Sequence, residues 1–132
     1  MGFLNWFKKK KKQEPIEYVQ WNKMWDLWAK GEIPSPFAEL MEYDSQVNNG
    51  GHAQFFDNVS ESADLSAVLS ALYAILNEVL KNNLQKAERA YLELDEFCDE
   101  LEQIFDECDD VFYANESGIE KALKEYAKTI EV

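Results

Sequence analysis

Histidine, cysteine and base are what this chain has least of. One histidine and two cysteines in 132 residues cannot supply the four ligands of a structural zinc site. Cys98 and Cys108 are ten residues apart in one predicted helix, about 15 Å along its axis, too far to bridge there. Two free thiols fit a reducing cytoplasm, the expected compartment. No metal and no other cofactor is expected. No apolar run reaches the about 18 residues of a membrane span. No segment alternates with period two between turns, so no sheet is expected. The opening MGFLNWFKKKKK is not a secretion signal, because Phe3, Leu4, Trp6 and Phe7 precede Lys8 to Lys12 instead of following them. Trp6 stands where a myristoylation pattern needs Ser or Thr.

Base is scarce in an uneven way. The formal charge is −13, from 13 Lys and Arg against 26 Asp and Glu, and five of the bases are Lys8 to Lys12. The remainder therefore carries eight bases against 26 acids, about −18. Such a body repels nucleic acid and attracts basic proteins. Direct nucleic-acid binding by the folded part is excluded on this ground. Residues 1–12 form a separate aromatic and polybasic tail. Through residues 3–12 it offers peripheral contact with an anionic bilayer, and Lys8 to Lys12 are also complementary to the chain's own acidic helix.

What is present is helical. With 46% hydrophobic and 14% aromatic residues, residues 13–132 suit one domain with a real core. Tyr18, Trp21, Trp25 and Trp28 follow Pro15 as one stripe ending before Gly31. That stripe packs more readily than it stacks bases on so acidic a body. Ser35 then Pro36 reads as the N-cap and first residue of a second helix, which stops at Asn48-Asn49-Gly50-Gly51, with a short helix over His52 to Asn58 next. Leu65 to Leu80 is the least charged segment and reads as the central helix. Asn82 to Cys108 reads as one long helix, with Leu84, Ala87, Tyr91, Leu94, Phe97, Cys98, Leu101, Ile104 and Phe105 inward. Ile119 to Ile130 closes the chain. The expected fold is all-α, a compact single-domain bundle of about five to six helices with a central apolar helix.

The stretch ELDEFCDELEQIFDECDD, Glu93 to Asp110, holds ten carboxylates and no base. On one continuous helix Asp95, Asp99, Glu102, Asp106 and Asp109 form one row, and Glu93, Glu96, Glu100, Glu107 and Asp110 a second, about 11 Å away. The ten charges come at one per roughly 2.7 Å, against one per about 1.7 Å of duplex. Soluble helices carry charge outward in any case, yet like charges at i and i+4 cost some tenths of a kcal/mol per pair. Interspersed lysines normally relieve this. Their absence makes these ten residues the candidate partner-binding surface.

NNGGHAQFFDN, Asn48 to Asn58, resembles the signature of the DNA mimic protein 19-like family at Asn49, Gly50, Gly51, Gln54, Phe55, Phe56 and Asn58. His52 departs, standing where a large aromatic is usual. The likeness runs through the alanine-rich apolar helix and Asp109-Asp110-Val111-Phe112-Tyr113 to Tyr126, and leaves out the lysine-rich leader. It implies an all-helical, uncharacterised family named for an acidic member that occupies the DNA-binding surface of a transcription factor. The motif itself reads as structural, with glycines turning the chain while Gln54 and Asn58 bond backbone groups orphaned at helix ends. His52 reads as a turn-packing residue. No catalytic constellation is visible. The function expected is non-enzymatic: an acidic protein that mimics DNA charge and masks a basic partner, such as a DNA-binding or nuclease-like protein. Two alternatives are an immunity or stress-response protein with one specific basic partner, and a helical pocket protein using the Asn-Gly-Gly region.

Overall fold

The computed structural model describes residues 14–94 and 98–132. The expected tail, residues 1–12, and three members of the acidic stretch, Asp95, Glu96 and Phe97, lie outside the described residues. Six helices follow in order: α1 (Ile16–Ala29), α2 (Phe37–Ser62), α3 (Leu65–Ile75), α4 (Glu78–Glu93), α5 (Asp99–Asn115) and α6 (Ser117–Ala127). No strand occurs among the described residues, and the all-α bundle is as the periodicity requires.

Two predicted helices are each divided. The apolar segment 65–80 turns at Leu76 and Asn77, both extended, and Asn77 then caps α4 by accepting the Leu80 N–H at 3.0 Å. Of α3 only Leu69 and Leu72 are buried. The broader buried face belongs to α2, with Leu40, Met41, Tyr43, Val47, Phe55, Phe56 and Val59 inside. Likewise Asn82 to Cys108 is not one helix. The chain is extended at Leu94 (ψ 104°) and Cys98 (ψ 171°), and α5 returns along α4. Asn83 Nδ2 donates to the Cys108 carbonyl at 2.8 Å, and Lys86 Nζ meets Glu107 Oε2 at 3.1 Å. In one continuous helix those last two residues would be about 31 Å apart. Cys98 is exposed instead of inward, whereas Cys108 is buried and its thiol is pushed up to about 11 by that burial.

Helix α2 packs against α5, α3 and α6, while α1 pairs with α6 and α4 with α5. Phe37 stacks on Tyr126 of α6 with ring centroids 4.1 Å apart, and Phe56 stacks between Tyr91 of α4 (4.8 Å) and Phe105 of α5 (5.6 Å). Each fully buried phenylalanine contributes roughly 2–3 kcal/mol by the area it removes from water. The tryptophan stripe is half-buried, as packing predicts, with edge contacts from Trp21 to Trp25 (6.1 Å) and from Trp25 to Trp28 (5.5 Å). Tyr18 departs from the expectation and is 56% exposed. Ser35 makes no cap, since α2 begins at Phe37 without a side-chain cap bond.

Candidate functional site

The double glycine breaks α2, as expected, and the break has a specific use. Gly51 has φ +72°, a region open to glycine at little cost, and a Cβ there would run into the Asp109 carboxylate of α5. The resulting close approach lets one carboxylate oxygen, Asp109 Oδ1, accept the His52 backbone N–H at 2.8 Å while meeting His52 Nδ1 at 2.6 Å. On the other side of the ring, His52 Nε2 lies 2.7 Å from the Tyr43 hydroxyl. All three groups are satisfied when Nδ1–H donates to Asp109 and Nε2 accepts from Tyr43. Burial, with Cys108 and Asp109 adding to it, holds the Tyr43 hydroxyl well above the ordinary tyrosine range, so it keeps the proton it donates. His52 and Tyr43 are both 0% exposed. His52 is therefore more than a turn-packing side chain: it is the buried polar link between α2 and α5.

The rest of the motif forms a second network on the outside of the same turn. Gly50 leaves room for the Gln54 side chain, which a Cβ there would strike. Gln54 Oε1 accepts from Asn49 Nδ2 at 3.1 Å and Gln54 Nε2 donates to Gln46 Oε1 at 2.7 Å. Asn58 Nδ2 donates to the same Gln46 oxygen at 2.9 Å, and Gln46 Nε2 donates on to Glu42 Oε1 at 2.9 Å. This corrects the expectation that Gln54 and Asn58 satisfy orphaned backbone groups. Side chain bonds side chain here, because Gln46 sits one turn before the break and reaches across it. Phe55 and Phe56 point the opposite way, fully into the core.

A third polar corner was not foreseen. Asn48 Nδ2 donates to the Asp44 carbonyl at 2.8 Å and to Glu116 Oε2, drawing the Asp44 and Glu116 carboxyls together at the α5–α6 junction. Burial first, then the hydrogen bond and charge of Glu116 and the charge of Glu120, push the Asp44 carboxyl up to about 7. Tyr43, Asp44, Gln46 and Glu116 were all missed. The available signal was indirect: a core tyrosine and a lone histidine each need a polar partner, and those partners lie far away in sequence.

Of the ten acidic candidates Asp95 and Glu96 lie outside the described residues, and the other eight do not form two rows. Glu93 ends α4, and Glu100 and Glu107 face that helix, Glu107 paired with Lys86 and Glu93 with Glu100 beside Lys86 and Arg89. Bases absent from the acidic stretch are thus supplied across the α4–α5 pair. Asp109 faces α2 and is occupied by His52. Asp99, Glu100 and Glu102 stand in the first turn of α5, where a helix N-terminus favours negative charge. Four carboxylates remain on one outward face, Asp99, Glu102, Asp106 and Asp110, all exposed and in no ion pair among the described residues. They come at one per roughly 5.5 Å and do not reach the charge spacing of a duplex by themselves. Asp57 and Glu61, one turn apart, are exposed on α2, the helix that packs against α5. Helices α2, α3 and α5 carry no lysine or arginine at all.

Among the described residues no group of three or more His, Cys, Asp or Glu side chains is arranged to hold a metal ion, and no helix is long and apolar enough to cross a membrane. Fold and site together define a small all-helical protein whose broken second helix is pinned to an acidic helix by a glycine, a histidine and an aspartate. The chain belongs to the DMP19-like protein family, whose model matches residues 37–130, from the start of α2 to the end of the closing turn. No curated protein and no solved structure matches it.

Proposed function

We propose that the protein is a non-enzymatic acidic binding module that covers the basic surface of a DNA-binding or nuclease-like protein, through the outward face of α5 with the neighbouring acids of α2. The observation that carries this reading is the unpaired row Asp99, Glu102, Asp106 and Asp110 on a helix without one base, beside α2, which also has none. Like charges at i and i+4, Glu102 with Asp106 and Asp106 with Asp110, repel along that row. A lysine- and arginine-rich surface relieves the repulsion and releases counterions on both sides. Family membership is consistent with this, since the family takes its name from DNA mimicry. The enclosed His52 and Tyr43, with no exposed surface, leave no open acid-base pair for chemistry at the motif.

The test compares wild type with Asp99→Lys, Glu102→Lys and Asp106→Lys combined, in affinity capture from the native cell at about 50 and 300 mM salt. The expected result is a basic protein that releases duplex DNA when this protein is added, and whose capture falls tens-fold with the reversal. A control, Glu14→Lys with Asp26→Lys and Glu32→Lys, changes the charge equally at exposed positions near α1. Equal loss from both sets would reduce the effect to net charge and end the claim for α5.

A further inference from the structure

We infer that Asp44, Asn48 and Glu116 form a pH-sensitive clasp between α2 and the α5–α6 elbow, closed by a proton shared between the two carboxyls. The elbow is tight but weakly secured by itself. Glu116 is the one residue between α5 and α6, its backbone is helical, and α6 begins without a side-chain cap bond. What holds the joint is the last turn of α2 before the glycine break. Tyr113 donates its hydroxyl to the Val47 carbonyl at 2.9 Å, and the Asn48 amide reaches both Glu116 Oε2 and, at 3.3 Å, Asp44 Oδ1. The two carboxyls drawn to this amide are also in hydrogen-bond contact with each other. A carboxylate only accepts, so that contact exists only with a proton on one of the pair.

No base takes the place of that proton. Asp44 is faced by Glu116 from the elbow and Glu120 from α6, with the Tyr43 and Tyr113 hydroxyls close by. Helices α2, α3 and α5 contain no lysine or arginine, and Lys121 and Lys124 of α6 make no ion pair among the described residues. Burial first, then Glu116 and Glu120, push the Asp44 carboxyl up to about 7, and the opposing hydrogen bond from Asn48 does not cancel them. Helix α5 and its elbow are therefore pinned to α2 on both sides of the double glycine, by two different means. After the break, His52 supplies both hydrogens to Asp109 and the pin is complete. Before the break, the pin needs a proton from solvent. In the opened corner the carboxyls return to ordinary values, so opening sheds the proton and becomes more favourable as pH rises above about 4. The effect levels off once the closed clasp has lost its proton too, above about 7. This device does not depend on the protein partner proposed above.

Two measurements on the full chain test the clasp. In a carboxyl-carbon NMR titration, Asp44 and Glu116 are expected to titrate as one coupled pair whose last proton leaves near pH 7. Hydrogen exchange then reads the elbow through the amides of Ile119 and Glu120, which bond the Glu116 carbonyl at 2.9 and 3.1 Å. Corrected for the intrinsic rate, their opening constant should rise roughly fivefold between pH 5 and pH 8. At pH 8 it should exceed the global unfolding constant obtained from urea melts at the same pH. Asp44→Asn, which keeps a hydrogen donor toward Glu116 at every pH, should flatten the rise. Glu125→Gln, exposed on α6 and away from the corner, removes one charge and should leave the rise in place. Two independent titrations near pH 4 overturn the inference. So do Ile119 and Glu120 amides that open only when the whole chain unfolds, a rise that persists in Asp44→Asn, or one that disappears in Glu125→Gln.

Discussion

Asp109 and Asp110 are adjacent, chemically identical and at the end of the same acidic run, yet they do opposite things. Asp109 lies under Gly51 and takes two hydrogen bonds from His52, whereas Asp110 is exposed and in no ion pair among the described residues. A step of 100° around α5 separates a carboxylate that joins two helices from one that faces solvent or a partner. Charge density along a sequence does not distinguish them. The phase of the helix relative to its neighbours does.

The comparison breaks most decisively at its hydrogen-bonded member. Asp109→Ala should cost about 2–4 kcal/mol in urea unfolding, because the N–H and Nδ1–H of the fully buried His52 lose their acceptor. Gly51→Ala should cost a similar amount, about 2 kcal/mol or more, since the new Cβ meets that carboxylate and φ is positive. Asp110→Ala should stay within about 0.5 kcal/mol of wild type. Similar losses from Asp109→Ala and Asp110→Ala would show that helix phase is not what divides the acidic run.

Gln54→Ala should have an intermediate effect, about 1 kcal/mol, because its partners Asn49 and Gln46 are themselves only partly enclosed and water can replace it. Gln46→Ala should match it, as Gln46 is the residue on which Gln54 and Asn58 converge. A Gln54 variant that melts normally but loses a biological activity would revive the pocket reading of the motif.

The sequence showed the bundle, the turn at the double glycine and the core aromatics, because each is marked locally by periodicity or by glycine. It did not show the α4–α5 turn. Leu94, Phe97, Cys98 and Leu101 keep helical spacing across it and no glycine or proline interrupts them, so the pattern reads straight through. A signal was present, since Asp99, Glu100 and Glu102 are the residues a helix first turn favours. Reading them as the middle of a long helix made their mutual repulsion look unexplained and hid the compensating bases Lys86 and Arg89 on α4. The His52 contacts were illegible for a different reason: Tyr43 and Asp109 flank it at separations of 9 and 57 residues, and only the tertiary fold relates them.

Asp44 allows a test of the acids by pH. Its carboxyl is raised to about 7 by burial beside Glu116, above the ordinary value near 3.9. The folded chain therefore binds this proton more tightly than the unfolded chain does. The stabilisation is fully present below about pH 4 and is lost as pH rises through about 7. Asp44→Asn keeps a neutral partner for Glu116 at every pH, so it should equal wild type at about pH 4 and below, pull ahead as pH rises, and exceed it by about 1 kcal/mol near pH 8, a figure that allows for the half-exposed site. Thermal melts of both proteins across that range measure the difference directly. A constant difference would place the pair in water, with no proton held.

The smallest effect on folding belongs to the residues given the largest role in binding. Reversing Asp99, Glu102 and Asp106 to lysine removes repulsion along α5 and adds attraction to Asp110, worth a few tenths of a kcal/mol per pair. Against that, two of the three leave a helix first turn that prefers anions, a loss of similar size for each. The terms nearly cancel, and the melting temperature should move by no more than a few degrees. The split is informative because Asp99 and Glu102 lie in the first turn and Asp106 does not. Asp106→Lys alone should be neutral or slightly stabilising, whereas Asp99→Lys alone should be slightly destabilising, a difference that differential scanning calorimetry on the two single variants can read. Stability loss of several kcal/mol from Asp106→Lys would mean that this carboxylate, like Asp109, holds the fold together, and the outward face of α5 would have no charge left over for a partner.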